Sequence, residues 1–256
     1  MKVVSDPALR TFVSRALKEG RSPESIAGRL KHREKTLRYV SKEGIKTYLH
    51  SVHGRQIEAF RRRGVKAQRR RKRPSVKGVL DGRTFIDKRP QSATKRMRIG
   101  DAEADFILSG RDGRGILLTV ADRNARVAFI ERIRIPTIRN MERAFLKIKR
   151  RFPEMKTVTT DNDLLFQHHK RLGYLLGVKI YFCHAYHSWE KGTIERTNKE
   201  VRKYIPKGSD ISFYSAQFIA KVERTLNERW MNVLRHAAPR EVLERYRALK
   251  KRRGAR

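Results

Sequence analysis

At 256 residues the chain has room for a buried core of ordinary size and one small accessory domain. Sixty-three Lys and Arg against 26 Asp and Glu give a formal net charge of +37, well beyond what solubility requires, and call for a polyanionic partner. No apolar run approaches the roughly 18 to 20 residues that span a bilayer, no signal-peptide pattern opens the chain, and a lone cysteine, Cys183, excludes an internal disulfide and a cysteine-based zinc site, so the expectation is an intracellular protein.

Leu9, Phe12, Val13, Ala16 and Leu17 keep helical spacing, with Gly20 where a C-terminal cap belongs. Ser22 then caps a second helix, with Pro23 in its first position and Ile26, Ala27 and Leu30 on its apolar face. Ser41 caps a third, whose Ile45, Leu49 and Val52 face inward while Lys42, Lys46 and His50 face out. Three short helices with a basic outer face form the pattern of a helix-turn-helix DNA-binding domain over 1–55, with Lys42, Lys46 and His50 toward DNA.

Residues 56–98 read as a basic linker or arm. Nine of the thirteen residues from Arg61 to Arg73 are basic and almost nothing there can be buried; Arg61, Arg62, Arg70 and Arg71 are its candidate phosphate contacts. Each phosphate neutralised on duplex DNA adds about 0.9 to the salt slope.

From Ile99 the character changes. Asp101, Glu103 and Asp105 place three carboxylates in five residues, and Asp105 opens the apolar run Phe106, Ile107, Leu108. Residues 115–121 and 126–133 read as two further strands, giving an antiparallel meander. An amphipathic helix over 136–152, a strand at 157–160, a helix at about 164–176 and a strand at 178–182 follow. The next helix puts Ile194, Val201 and Ile205 on one face and Glu195, Asn198, Lys199 and Arg202 on the other. A last long helix runs over 214–230, with Phe218, Val222, Leu226 and Trp230 on one face. Residues 99–235 thus form a core, and 236–256 a short helix with a basic tail. The order βββ-α-β-α-β-α describes a mixed α/β sheet with helices packed on it.

That order, with an acid in the first strand (Asp105), an acid just after the fourth (Asp161) and an acid in the closing helix (Glu195), resembles the ribonuclease H-like fold of polynucleotidyl transferases. The motifs at residues 22–30, 100–105, Thr160-Asp161-Asn162, and 187–198 running on to Arg202, Tyr204 and 206–208 also resemble transposases of the insertion-sequence-thirty type, a branch of the DDE transposases and integrases. The likeness covers nearly the whole chain, with Ala102-Glu103-Ala104-Asp105 standing where the family commonly has Trp-Glu-Gly-Asp. In that family the second acid and the catalytic glutamate lie about thirty-four positions apart, which selects Glu195 over Glu190.

The resemblance implies a magnesium-dependent DDE transposase. Asp105, Asp161 and Glu195 would be both catalytic residues and ligands of two Mg²⁺ (or Mn²⁺) ions, Asp105 bridging the pair. Two such ions about 3.5 to 4 Å apart activate an attacking oxygen and stabilise the leaving one in an in-line displacement at phosphorus. Lys191, Asn198, Lys199 and Arg202 would contact DNA. The implied partners are transposon-end and target DNA and further copies of the chain in a multimer on DNA. No membrane and no small-molecule substrate is expected, and the location would be the cytoplasm of a prokaryote, at the nucleoid. A non-catalytic DNA-binding repressor, or a truncated inactive copy, is the alternative. The histidines at 168, 169, 184 and 187 near Cys183 fit no common zinc spacing.

Overall fold

The computed structural model describes residues 1–57, 82–110, 113–184 and 188–254. The arm residues Arg61, Arg62, Arg70 and Arg71, and His187, lie outside the described residues. The chain divides into two compact units, Met1–Arg73 with Glu228–Arg256, and Pro74–Asn227. No helix among the described residues is long and apolar enough to cross a membrane.

In the first unit α1 (Lys2–Ser5) leads into α2 (Pro7–Lys18), α3 (Pro23–His32) and α4 (Lys42–His50). Each of the three longer helices begins as its sequence dictates, with Asp6, Ser22 and Ser41 accepting the backbone N–H of Leu9, Ser25 and Gly44, and proline opening α2 and α3. Leu9, Val13, Leu17, Ile26, Leu30, Ile45 and Leu49 form their common core. Val52, expected to point inward, is 71 % exposed because α4 stops at His50.

The end of the chain completes this unit. Trp230 does not extend the preceding helix. It stacks on Phe12 with ring centroids 5.7 Å apart, flanked by the guanidinium groups of Arg21 and Arg29. Arg29 also pairs with Glu241 at 2.9 Å. The residues expected to form a short helix and a basic tail form one continuous helix, Pro239–Gly254. Lys, Arg, Leu and Ala are good helix formers, and the basic last turn suits the negative end of the helix dipole.

The second unit is built on a five-stranded sheet in the order β3-β2-β1-β4-β5. β1 (Asp101–Leu108), β2 (Ile116–Asp122) and β3 (Ala128–Ile133) form the antiparallel meander, and β4 (Thr157–Thr160) and β5 (Lys179–Phe182) add in parallel beside β1. Parallel addition requires crossovers, supplied by α6 (Ile138–Arg151) before β4 and α7 (His169–Leu176) before β5, while the four-residue α5 (Gln91–Thr94) precedes the sheet. On the other face lie α8 (Gly192–Val201) and α9 (Ala216–Asn227), whose Val201, Ile219, Val222 and Leu226 pack on Ile107, Leu117 and Ile130. Phe106, the next residue of β1, points the opposite way and packs on Phe166. This is the mixed, ribonuclease H-like order anticipated from the sequence.

β1 begins at Asp101, four residues earlier than the apolar pattern indicated. Asp101 and Glu103 are fully buried, which their charges alone would forbid. Each is paired: Asp101 accepts two bonds from Arg98 and one from Thr157, and Glu103 meets Arg123 at 3.1 Å.

Candidate active site

β4 stops at Thr160 while β1 runs on to Leu108, so the carboxyl end of β1 has no neighbour on that side. Glu103 stands opposite Thr159 in the parallel register, and two steps further on Asp105 and Asp161 come abreast at the ends of adjacent strands. The Nζ of Lys191 lies between them, 3.2 Å from Asp105 Oδ1 and 3.0 Å from Asp161 Oδ2. The Lys191 side chain is only 8 % exposed. Asp105 Oδ2 accepts a bond from Asn198 Nδ2 at 2.7 Å, and Thr119 Oγ1 donates to Asn198 Oδ1 at 2.8 Å. Asp161 Oδ1 is closed off from solvent and has no hydrogen-bond partner among the described residues.

The helix carrying Glu195 is fixed against this site from below. No side chain of its own caps α8; instead the buried first-turn N–H groups of Thr193 and Ile194 both donate to Glu103 Oε2 at 2.9 Å. A carboxylate at the positive end of the helix dipole is a favourable pairing. Glu103 and Asp105 sit two apart on one face of β1, so the strand that carries the first acid also seats the helix that carries the third. Lys191, Glu195 and Asn198 follow one another at i, i+4 and i+7, so half-buried Glu195 shares the helical face whose other two members reach Asp105.

The Asp161 segment has its own latch. Asn162 donates to the carbonyl of Cys183, at the end of β5, and accepts from Arg83. Asp163 caps the next turn by accepting the N–H of Leu165 at 2.8 Å. Glu190 is held by His184, through both its backbone N–H and its ring Nδ1, and the ring's Nε2 lies 2.9 Å from Asp87. His184 therefore serves carboxylates. His169 packs edge-on against Phe182, and its Nε2 lies 3.3 Å from the carbonyl of Gly82. Cys183 is buried, which pushes its thiol up to about 12.

Burial raises the Asp105 carboxyl above the ordinary 3.8, the Lys191 charge opposes this and the Asp161 charge adds to it. Burial works to lower the Lys191 ammonium, but Asp161 and Asp105 outweigh it and hold it above 10.5. Asp163 is also raised, chiefly by burial. Hard carboxylate oxygens around a spot already filled by a side-chain cation, one of them lacking any partner, suit a divalent ion. As the side chains stand, no group of three or more acidic, histidine or cysteine residues among those described is gathered closely enough to hold one. Lys191 takes the place between the two aspartates, and Glu195 stands on the facing helix without joining them.

Among the other residues singled out for DNA, Lys42, Lys46, His50 and Lys199 are exposed. Lys191 and Asn198 are turned to Asp105 rather than outward. Arg202 bonds the carbonyls of Leu108 at 2.9 Å and Pro206 at 3.3 Å, so its guanidinium fastens the end of α8 to the end of β1. Glu103 was not singled out, and only its place two residues before Asp105 hinted at its role.

No protein-family model matches the chain. Over 247 residues it is 34% identical to the transposase for insertion sequence element IS4351 of Bacteroides fragilis, covering 94% of this chain and 74% of that protein. Over 250 residues it is 30% identical to transposase InsI for insertion sequence element IS30A of Escherichia coli K12, covering 93% of this chain and 64% of the relative. Among solved structures it is similar to the catalytic core domain of BIV integrase, with a TM-score of 0.47, 15% identity, and coverage of 59% of this chain and 97% of that one.

Proposed function

Because the chain belongs to the family of IS30-type insertion-sequence transposases, we propose that it is a DNA transposase that cuts a strand at the element's end and joins the freed 3′-hydroxyl to target DNA. The observation that carries the reading is the pair Asp105 and Asp161 drawn together on one ammonium, beneath a helix face that also bears Glu195. Asp105, Asp161 and Glu195 would hold Mg²⁺ or Mn²⁺, and such ions, when bound, supply Lewis-acid stabilisation of charge on the attacking and leaving oxygens.

The chain's own residues perform the positioning. Asn198 and Thr119 fix the Asp105 carboxylate, Asn162 fixes the backbone that presents Asp161, and Glu103 fixes the start of the helix that presents Glu195. Lys191 balances two carboxylates that would otherwise repel each other at the strand ends. Exposed Lys199, the outer face of α4 and the basic arm would hold phosphates. Joining two element ends requires at least two copies of the chain on DNA, and the site of action would be the prokaryotic cytoplasm, at the nucleoid.

A strand-nicking and strand-transfer assay with Mg²⁺ tests the reading. Asp161→Asn and Glu195→Gln are each expected to abolish both products, and unchanged activity in both variants would rule out this site. The ammonium already seated between the aspartates favours one rival, a DNA-binding repressor. That rival predicts salt-sensitive DNA binding by the unaltered chain with no metal-dependent nicking at all.

A further inference from the structure

One side of the helical unit carries a groove of about 650 Å³ that the features discussed above leave unused. Arg10, Ser14, Arg15 and Lys18 of α2 form one wall, and Tyr48 and His53 lie across from them. Arg10, Ser14 and Lys18 recur every fourth residue, so they follow one helical face. The floor is rigid: Tyr48 is 2 % exposed, and its hydroxyl shares a 2.8 Å hydrogen bond with Ser14 Oγ. The far wall exists because the chain doubles back after α4 at Gly54, where a Cβ would come within 2.2 Å of the Tyr48 carbonyl.

The cations of this groove are unspent. Arg10, Arg15 and Lys18 are exposed, and none pairs with a carboxylate among the described residues. The acid in the lining, Glu19, has Arg21 at 3.6 Å. From Arg10 to Lys18 the helix rises about 12 Å, and one strand of duplex DNA presents a phosphate about every 3.4 Å along its axis. A pocket for a small anion would bury at least one of its charges; here all three are exposed and line the same groove.

We propose that this groove is a track for the phosphate backbone of duplex DNA, engaged through Arg10, Arg15 and Lys18, in addition to the outer face of α4. The proposal rests on the reading of the protein as a DNA-acting transposase. It adds α2 to the grip of the helical unit, beside the expected contacts Lys42, Lys46 and His50 on α4.

The test is the salt dependence of binding to a random-sequence duplex, measured by fluorescence anisotropy on the full chain without divalent metal. Replacing Arg10, Arg15 and Lys18 together by Gln is expected to lower the slope of log K against log salt by about 2 to 3, at about 0.9 per phosphate. The matched triple Arg139→Gln, Arg143→Gln and Arg150→Gln, removing equal exposed charge from α6, is expected to leave it unchanged. An unaltered slope in the groove triple, or an equal fall in both triples, overturns the proposal. So does saturable binding of inorganic phosphate that the groove triple abolishes while the DNA slope stays put, which would make the groove a small-anion site. If the triple does not fold, single Arg10→Gln and Lys18→Gln variants must each lower the slope by about 0.9. Nicking by the unaltered chain and by Asp161→Asn, assayed separately, reports on the catalytic reading whichever way the slope falls.

Discussion

Lys191 is the residue on which the electrostatics of the site turn. Its ammonium competes for the same oxygens that a divalent ion would take. Lys191→Gln is therefore expected to tighten Mn²⁺ binding severalfold in calorimetric titration, and weaker binding would show that the lysine assists the ion. Asp122 gives the clearest dependence on pH. Burial raises its carboxyl from 3.8 to about 6, against the three backbone N–H groups of Gly100, Asn124 and Ala125 that favour its ionised form. A carboxyl whose pKa rises on folding binds its proton more tightly in the native state. Its ionisation thus opposes folding, with no effect below 3.8 and the full penalty above about 6. Denaturant titrations across that window should show a stability term of about 3 kcal/mol that is lost as pH rises. The slope should be absent in Asp122→Asn, which itself costs about 1–3 kcal/mol by turning an amide donor toward the Gly100 N–H.

At the scale of the element, α8 owes its place to Glu103. Glu103→Ala would leave two helix N–H groups without their acceptor and Arg123 buried without its partner, a loss of about 3–5 kcal/mol. Hydrogen exchange at Thr193 and Ile194 should accelerate in step with the loss, and unchanged exchange would remove Glu103 from this role. The same strand shows where sequence reasoning stops. β2 and β3 are legible because β-branched and apolar residues run together there, and α2 to α4 because their caps are local. The first half of β1 reads as a charged cluster, because what permits Asp101 and Glu103 to be buried are Arg98, Thr157, Arg123 and two N–H groups from 90 and 91 residues away. Periodicity also misled at Trp230, which continues the spacing of Phe218, Val222 and Leu226 but stacks on Phe12. Of the acids the resemblance pointed to, Asp105 and Asp161 do come together, on Lys191; the inward turn of Lys191 was not legible, since a lysine beside a helix start reads as solvated.

Over the whole molecule, the first unit is assembled from both ends of the chain. The closing segment seats on Gly28, where any Cβ would lie 2.0 Å from the His236 ring. Gly28→Ala is expected to destabilise the helical unit, and the double variant Gly28→Ala with His236→Ala should recover much of the loss in thermal unfolding. Failure of that rescue would mean that Gly28 matters for another reason. A chain ended after Asn227 should lose helical signal beyond its missing residues, because Phe12, Arg21 and Arg29 surrender the ring they enclose.

That discontinuity also orders events during synthesis. Phe12, Gly28 and Arg29 are made early, but Trp230, His236 and Glu241, which they meet in the finished unit, are made only after the whole of Pro74–Asn227. Until those residues emerge, the Phe12 face of the earliest helices lacks its cover, so the unit begun first is among the last parts of the chain to be finished.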